Sequence, residues 1–363
     1  MIPSYFVNLL LSASLGIAQQ GELKTFGDWI VGCDNGLNCH ATSLNPEGEG
    51  DGDVFVTVKR GGARASEPVV TMFLSSDLQH RLAHVSAISI ALDDKLFSTT
   101  VISRKPTAIA PLEGGFSFII NRENGLSGSA NATIIKPMIG AKRVGVVGND
   151  GIIVGGASLI GLSAALLYID EQQHRIGTVT ALVRKGPKSS DAIPAAPKIP
   201  LINIPPRTSK SPVRLSAAAE KQERLAFKCK TVDEFMKKYG IEYHRLDSRT
   251  TLALIPPLCD SGAYNTSIRI AVINNKGAIT VPAIEMPIDA KAPNLLSNAW
   301  WDKEAGTLNS FWKARPLGDC GILQNYVWDG TALRLVKESG MVECRGSADY
   351  ITTWQAQIAS PVR

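Results

Sequence analysis

The sequence predicts an α+β protein: a β-rich antiparallel N-terminal domain with one packed helix, a proline-rich linker, and an α+β C-terminal domain with an antiparallel sheet. Three observations predict it. Short segments rich in β-branched and aromatic residues alternate with turn-forming stretches through both halves of the 363-residue chain. Seven prolines fall between residues 186 and 212 and interrupt that pattern. Six cysteines, an even number, follow an apolar leader, as in exported proteins whose thiols are paired. The expected units are a signal peptide over 1–18, a disulfide-stapled domain over 19–185, a linker over 186–214, and a second stapled domain over 215–363.

The leader, MIPSYFVNLLLSASLGIA, has an apolar core between Tyr5 and Leu11, then small residues. Gly16 and Ala18 suit the small positions before a cut at Gln19, although no Lys or Arg precedes the apolar core. Export to a periplasmic or secreted location follows from this reading. Six cysteines allow fifteen pairings, and proximity along the chain suggests Cys33/Cys39, Cys229/Cys259 and Cys320/Cys344. In CDNGLNC, residues 33–39, Asn35-Gly36 suits a turn, so Trp29–Gly32 and His40–Leu44 can pair as a hairpin that the two cysteines hold.

Next come VFVTV (54–58), VVTMFL (69–74), VSAISIAL (85–92) and FSFII (116–120), which read as strands separated by NPEGEGDGD, RGGARASEP and LEGG. The run at 151–169 is uncharged for nineteen residues, close to the length of a membrane span. Its four glycines and its acidic flanks favour a buried unit instead: a strand over IIV, a break at Gly155-Gly156, and a helix over 158–169. Leu159, Leu162, Leu166 and Ile169 recur at helical spacing. A further strand is expected over 176–183, closing the domain.

At the end of that helix Asp170, Glu171, Gln173 and Arg175 form the best polar group, in which Asp170, Gln173 and Arg175 are candidate ligand contacts, either a ligand site or a helix terminus pinned to the sheet. The linker reads as an extended spacer without a core of its own. Beyond it, 216–240 reads as helix, with Thr231 and Glu234 in capping-box form. TLALIPPLC, SIRIAVIN, LNSFWKARPLG, NYVWDGTALRLVK and WQAQIA then read as strands, joined by turns at Asn275-Lys276-Gly277, Ala305-Gly306 and Asp329-Gly330.

Several chemistries lack their residues. No H-E-x-x-H and no clustered cysteine–histidine spacing marks a metal site. The five-residue gap between Cys33 and Cys39 is too wide for a redox C-x-x-C. No G-x-S-x-G is present, and Gly145, Gly148 and Gly151 are not spaced as a dinucleotide loop requires. No cofactor and no catalytic residue is expected. Between Arg207 and Arg249 eleven basic residues face six acidic ones, matching the +5 excess of the whole chain. This stretch is read as a solvated helix face, with an anionic partner as the alternative. Aromatic residues are only 6% and do not interleave with the basic ones, so nucleic acid is not an expected partner. Trp300-Trp301 is the other candidate ligand contact, because adjacent indoles can stack on a sugar or fill an interface.

Taken together, FGDWIVGCDNGLNCHAT (26–42), SLIGLSAALLYIDEQQHRIGTVTALV (158–183), ARPLGDCG (314–321), YVWDG (326–330) and MVECRG (341–346) resemble domain-of-unknown-function family 1176, whose members are exported proteobacterial proteins. The G-D-W strand leading into a cysteine is also similar to the invasion-associated locus B proteins, over the first domain only. The first resemblance implies a periplasmic or secreted protein, structural roles for Cys33, Cys39, Cys320 and Cys344, and no inherited catalytic residue. The expected function is that of a non-enzymatic envelope protein that binds an envelope or host macromolecule or supports envelope integrity, with no stable membrane span in the mature chain. Two alternatives remain open. One is an inhibitor of a host or competitor hydrolase such as a lysozyme, acting through the tip at 45–53. The other is an enzyme with a site near Asp170 or Trp300.

Overall fold

A computed structural model describes residues 21–48, 52–75, 78, 87–101, 117–121, 125–130, 132–148, 151–225, 236–258, 262–286 and 295–359. The leader, Cys229, Cys259, Thr231 and Glu234 lie outside these residues.

The chain opens with the hairpin expected at CDNGLNC. Strand Trp29–Cys33 pairs antiparallel with Cys39–Ser43, placing Cys33 directly opposite Cys39, and the two are bonded. The Asp34 carboxylate closes the turn by accepting from the backbone N–H of Gly36 at 2.8 Å and of Asn38 at 3.0 Å. This hairpin lies inside a seven-stranded antiparallel sheet ordered Leu23–Phe26, Trp29–Cys33, Cys39–Ser43, Val54–Arg60, Val69–Leu74, Gly125–Ala130, Ser117–Asn121. Along Val69–Leu74 alternate residues are buried, the period of a strand with one face on the core. A second antiparallel sheet is ordered Ile153–Ser158, Arg143–Val147, Ala87–Leu92, Lys95–Val101.

The apolar run at 151–169 becomes a strand and a helix, with two corrections. Gly155 and Gly156 do not break the strand, which continues to Ser158. A side chain at Gly156 would meet the Val144 carbonyl oxygen at 2.6 Å, so glycine lets the neighbouring strand approach. The helix runs Leu162–Gln172, and it begins after Gly161, whose φ of 99° and contact with Phe26 exclude a side chain. Leu162, Ala165, Leu166 and Ile169 join Trp29, Val56 and Met72 in one core. No helix among the described residues is long and apolar enough to cross a membrane.

The strand expected over 176–183 is absent. The segment makes turns, with one bridge between Thr178 and Lys188. The N–H groups of Leu182 and Val183 are drawn instead to the Asp170 carboxylate, at 2.8 and 2.9 Å, and so cannot serve a ladder.

The linker also differs from a bare spacer. Ile193 and Ile202 are buried, and Leu201–Asn203 pairs in parallel with Gln357–Ala359. Residues 204–212 then cross the second half as an irregular strap before the helix Ala217–Leu225. Among the described residues, the second half holds two larger sheets besides the pairing of Leu201–Asn203 with Gln357–Ala359. One is ordered Glu242–Arg245, Thr250–Ile255, Ser267–Asn274, Ile279–Thr280, with Leu295–Ser297 also beside Ser267–Asn274. The other is ordered Ala283–Ile284, Ala332–Met341, Gly321–Trp328, Thr307–Lys313, Trp300–Asp302, with Ile351–Gln355 also beside Ala332–Met341. Leu252, Leu254, Ile270, Leu308, Tyr326 and Leu335 fill the space between them. Cys320 is bonded to Cys344. The resulting fold is β-rich α+β, as the sequence predicts.

The halves share a further apolar cluster, in which Ile30 and Leu44 meet Cys320, Met341 and Ile351. Around it, Arg345 donates to the carbonyls of Asn45 at 2.6 Å and Gly27 at 3.0 Å and pairs with Asp28.

Candidate functional site

The strap built by residues 204–212 roofs a groove of about 730 Å³ in the second half. Its floor comes from Tyr243–Leu246 of one sheet and from Trp301, Val327 and Trp328 of the other. Both ends of the strap are tied down. Arg207 donates to the backbone carbonyls of Glu304, at 2.8 Å, and of Ala305. At the far end, the Val213 N–H donates to Thr251 Oγ1 at 3.0 Å. The floor is rigid where Trp328 Nε1 donates to Asp247 Oδ2 at 2.8 Å. Burial pushes the Asp247 carboxyl up, but that bond and the N–H groups of Arg249 and Thr250 outweigh it and hold the group ionised below its ordinary range.

The groove's charge is one-sided. Arg207, Lys210, Arg245 and Lys303 line it, and among the described residues no aspartate or glutamate does; the lining His244 lies 3.3 Å from the Glu242 carboxylate just outside. The two guanidinium groups are held by neutral acceptors. Arg207 has its two carbonyls, while Arg245 donates to Thr251 Oγ1 at 3.0 Å, to the Ser248 carbonyl at 2.7 Å and to Asn275 Oδ1. Among the described residues neither faces a carboxylate within ion-pair distance, and Arg245 Nε is buried without a hydrogen-bond partner. Fixed donors with uncompensated charge are what an anion site consists of.

Trp301 presents the groove's largest partly buried ring, and the His244 imidazole stacks on it at 5.7 Å between centroids, tilted by 23°. The neighbouring Trp300 does not join it. Consecutive residues of the strand Trp300–Asp302 point to opposite faces, and Trp300 stands 44% exposed outside the groove. The expected pair of stacking indoles is therefore a single ring.

Asp170, Gln173 and Arg175 are brought together, in a buried network of the first half. Gln173 Nε2 donates to the carbonyls of Leu37 at 2.8 Å, Gly61 at 3.1 Å and Arg60 at 3.2 Å. Arg175 donates to Gln173 Oε1 at 2.9 Å, to the carbonyls of Ala63 and Arg64, and to Thr180 Oγ1. Arg60 Nη1 lies 3.8 Å from Asp170 Oδ1. Burial pushes the Asp170 carboxyl up despite the Leu182 and Val183 N–H groups, and pushes the Arg60 guanidinium down to about 10. These polar groups spend their capacity on backbone carbonyls and amides of the surrounding loops. In effect they pin the helix terminus to the loop at 60–64.

A second cavity, of about 670 Å³, lies where the halves meet, between His40 and Lys59 on one side and Asp349, Tyr350 and Gln355 on the other. Its charges are of both signs, and three of them are paired. His40 Nε2 lies 2.9 Å and Lys59 Nζ 3.3 Å from the Asp349 carboxylate. Among the described residues no group of three or more His, Cys, Asp or Glu side chains is placed to hold a metal ion. Of the acidic tip at 45–53, residues 49–51 lie outside the described ones.

Arg207, Lys210, Arg245 and Lys303 are the groove residues that sequence reading did not single out. For Arg207, Lys210 and Arg245 the signal was present in the basic excess of 207–249, carried by the strap and an edge strand rather than a helix face; Lys303 lies outside that stretch and had none.

Comparison with known proteins gives two findings. The model of a family described as "Protein of unknown function (DUF1176)" matches residues 23–357. The chain is also similar to the "Uncharacterized protein YpfG" of Escherichia coli (strain K12), 28% identical over 213 residues, covering 54% of this chain and 59% of that protein. The chain thus spans about three-fifths of the length of the curated relative it matches. No solved structure matches it. The likeness of the opening strands to the invasion-associated locus B proteins is not shown by these comparisons.

Proposed function

The chain belongs to that family of proteins of unknown function, and from this premise we propose that it is an exported, non-enzymatic binding protein that holds an anionic envelope or host ligand in the strap-roofed groove. The observation that carries this reading is the pairing of Arg207 and Arg245 with neutral acceptors alone, in a groove lined by two further lysines and by no carboxylate. Neutral acceptors orient a guanidinium without cancelling its charge, and the two lysines beside it add to the same sign, which supports an anionic partner. Export is supported by two disulfides, Cys33–Cys39 and Cys320–Cys344, which persist outside the reducing cytoplasm. The leader expected over 1–18 supplies the route.

Equilibrium binding of the full chain to two polyanions with different backbones, polyglutamate and oligogalacturonate, tests the reading at low ionic strength. Neutral oligogalactose serves as the control. Binding of at least one polyanion, well above the neutral chain, is expected. Failure to bind either polyanion, or equal binding of the neutral chain, overturns it.

A further inference from the structure

The groove combines three features that suit different parts of one ligand. Two of its cations, Arg207 and Arg245, are held in place by hydrogen bonds, and Lys210 and Lys303 are exposed at the cavity. Its roof carries the hydroxyls of Thr208, Ser209 and Ser211. Its floor holds one partly exposed indole, Trp301, on which His244 stacks, beside the buried rings of Tyr243 and Trp328. A pyranose ring bearing a carboxylate matches all three. Its C–H face packs on an indole, its hydroxyl rim exchanges hydrogen bonds with serine and threonine, and its carboxylate meets guanidinium or ammonium. A single-stranded nucleic acid matches less well, because successive bases need successive rings and the groove offers one partly exposed indole. A volume of about 730 Å³ exceeds what a lone inorganic anion would fill and lies within the range of organic ligand sites.

We propose that the ligand of this groove is an acidic saccharide, a chain of carboxylate-bearing sugar rings. The inference rests on the anion-binding reading above and adds the chemical class. In this arrangement Trp301 supplies the preference for a sugar ring, and Arg207, Lys210, Arg245 and Lys303 supply the preference for charge.

The test compares oligogalacturonate with polyglutamate of equal charge, binding to the full-length wild-type chain and to Trp301→Ala and Trp301→Phe. The wild type is expected to bind the uronate chain about tenfold more tightly than polyglutamate. Trp301→Ala should erase that preference while still binding both polyanions, and Trp301→Phe should keep part of it. Equal affinity of the wild type for the two polyanions would overturn the saccharide inference and leave the anion-binding reading standing. Absence of binding to both would end both. Because the preference is read on the wild type, the inference stays testable even if Trp301→Ala does not fold.

Discussion

His40 Nε2 lies 2.9 Å from Asp349 Oδ2, so the first half of the chain meets the second through an imidazole and a carboxylate at a shared cleft. Burial holds the imidazole below its ordinary 6.5, against the hydrogen bond and charge of Asp349, while Lys59 and Lys337 push it the same way as burial. Asp349 is raised by burial but held below its ordinary 3.8 overall by His40 and Lys59.

The sign of the pH dependence follows. Once unfolded, His40 takes up its proton near 6.5, whereas the folded chain binds it only at lower pH. Stability therefore falls as pH drops below 6.5 toward the folded value. Asp349 adds to this lower down, because its stabilisation is present above 3.8 and is lost as pH falls through its depressed value. Asp170 and Glu338, both raised by burial, act oppositely, their contribution falling as pH climbs from the ordinary carboxylate range through their raised values. Urea midpoints should drop between about pH 7 and about pH 5, and His40→Gln should flatten that slope. An unchanged slope in the variant would remove His40 from the account.

Asp170→Asn should be among the most damaging single substitutions. It keeps an acceptor for the Leu182 and Val183 N–H groups but removes the carboxylate that lies 3.8 Å from buried Arg60, leaving the more distant Glu67 as its negative neighbour. Breaking one side of a buried ion pair costs about 3 to 5 kcal/mol, and chemical denaturation of the full chain measures it. A loss under about 1 kcal/mol would mean that Arg60 and Arg175 are satisfied by carbonyls alone.

The two staples should differ in worth. In the loop-entropy model the bridge spanning 24 residues, Cys320–Cys344, contributes about 3 to 4 kcal/mol, and the bridge spanning six, Cys33–Cys39, about 2. Replacing each pair by alanine and comparing urea midpoints checks the order. A larger loss at Cys33/Cys39 would show that the hairpin depends on its bridge for more than chain entropy.

Binding in the groove should weaken with salt. Its charges are partly exposed, so raising ionic strength from about 0.02 M to about 0.2 M should lower affinity for a polyanion about tenfold. Affinity that does not move with salt would point to contacts other than Lys210 and Lys303.

Much of this fold was legible because its signals are local. Asn35-Gly36 between two apolar segments specifies a hairpin, and Asp329-Gly330 joins Gly321–Trp328 to Ala332–Met341 in the same way. Residues 176–183 misled because Ile176, Thr178 and Thr180 alternate and, with Val179 and Val183, carry strand propensity. The competitor was Asp170, which lies far enough back in the sequence that its hold on Leu182 and Val183 leaves no periodic trace. Gly155-Gly156 misled for the opposite reason. Glycine usually weakens a strand, but here it admits the Val144 backbone. The groove was legible only in part. Trp301 and the basic excess could be read, but their meeting under the strap depends on contacts nearly a hundred residues apart, such as Arg207 with Glu304. No spacing rule reaches that distance.

The measurement closest to the central claim is a fluorescence titration of the full chain and of Lys210→Glu/Lys303→Glu with oligogalacturonate. Both lysines are exposed, so the double variant should unfold at the same urea concentration as the wild type. The account predicts that its dissociation constant rises more than about tenfold. Equal affinity in the two proteins would contradict it and move any anion site away from the groove.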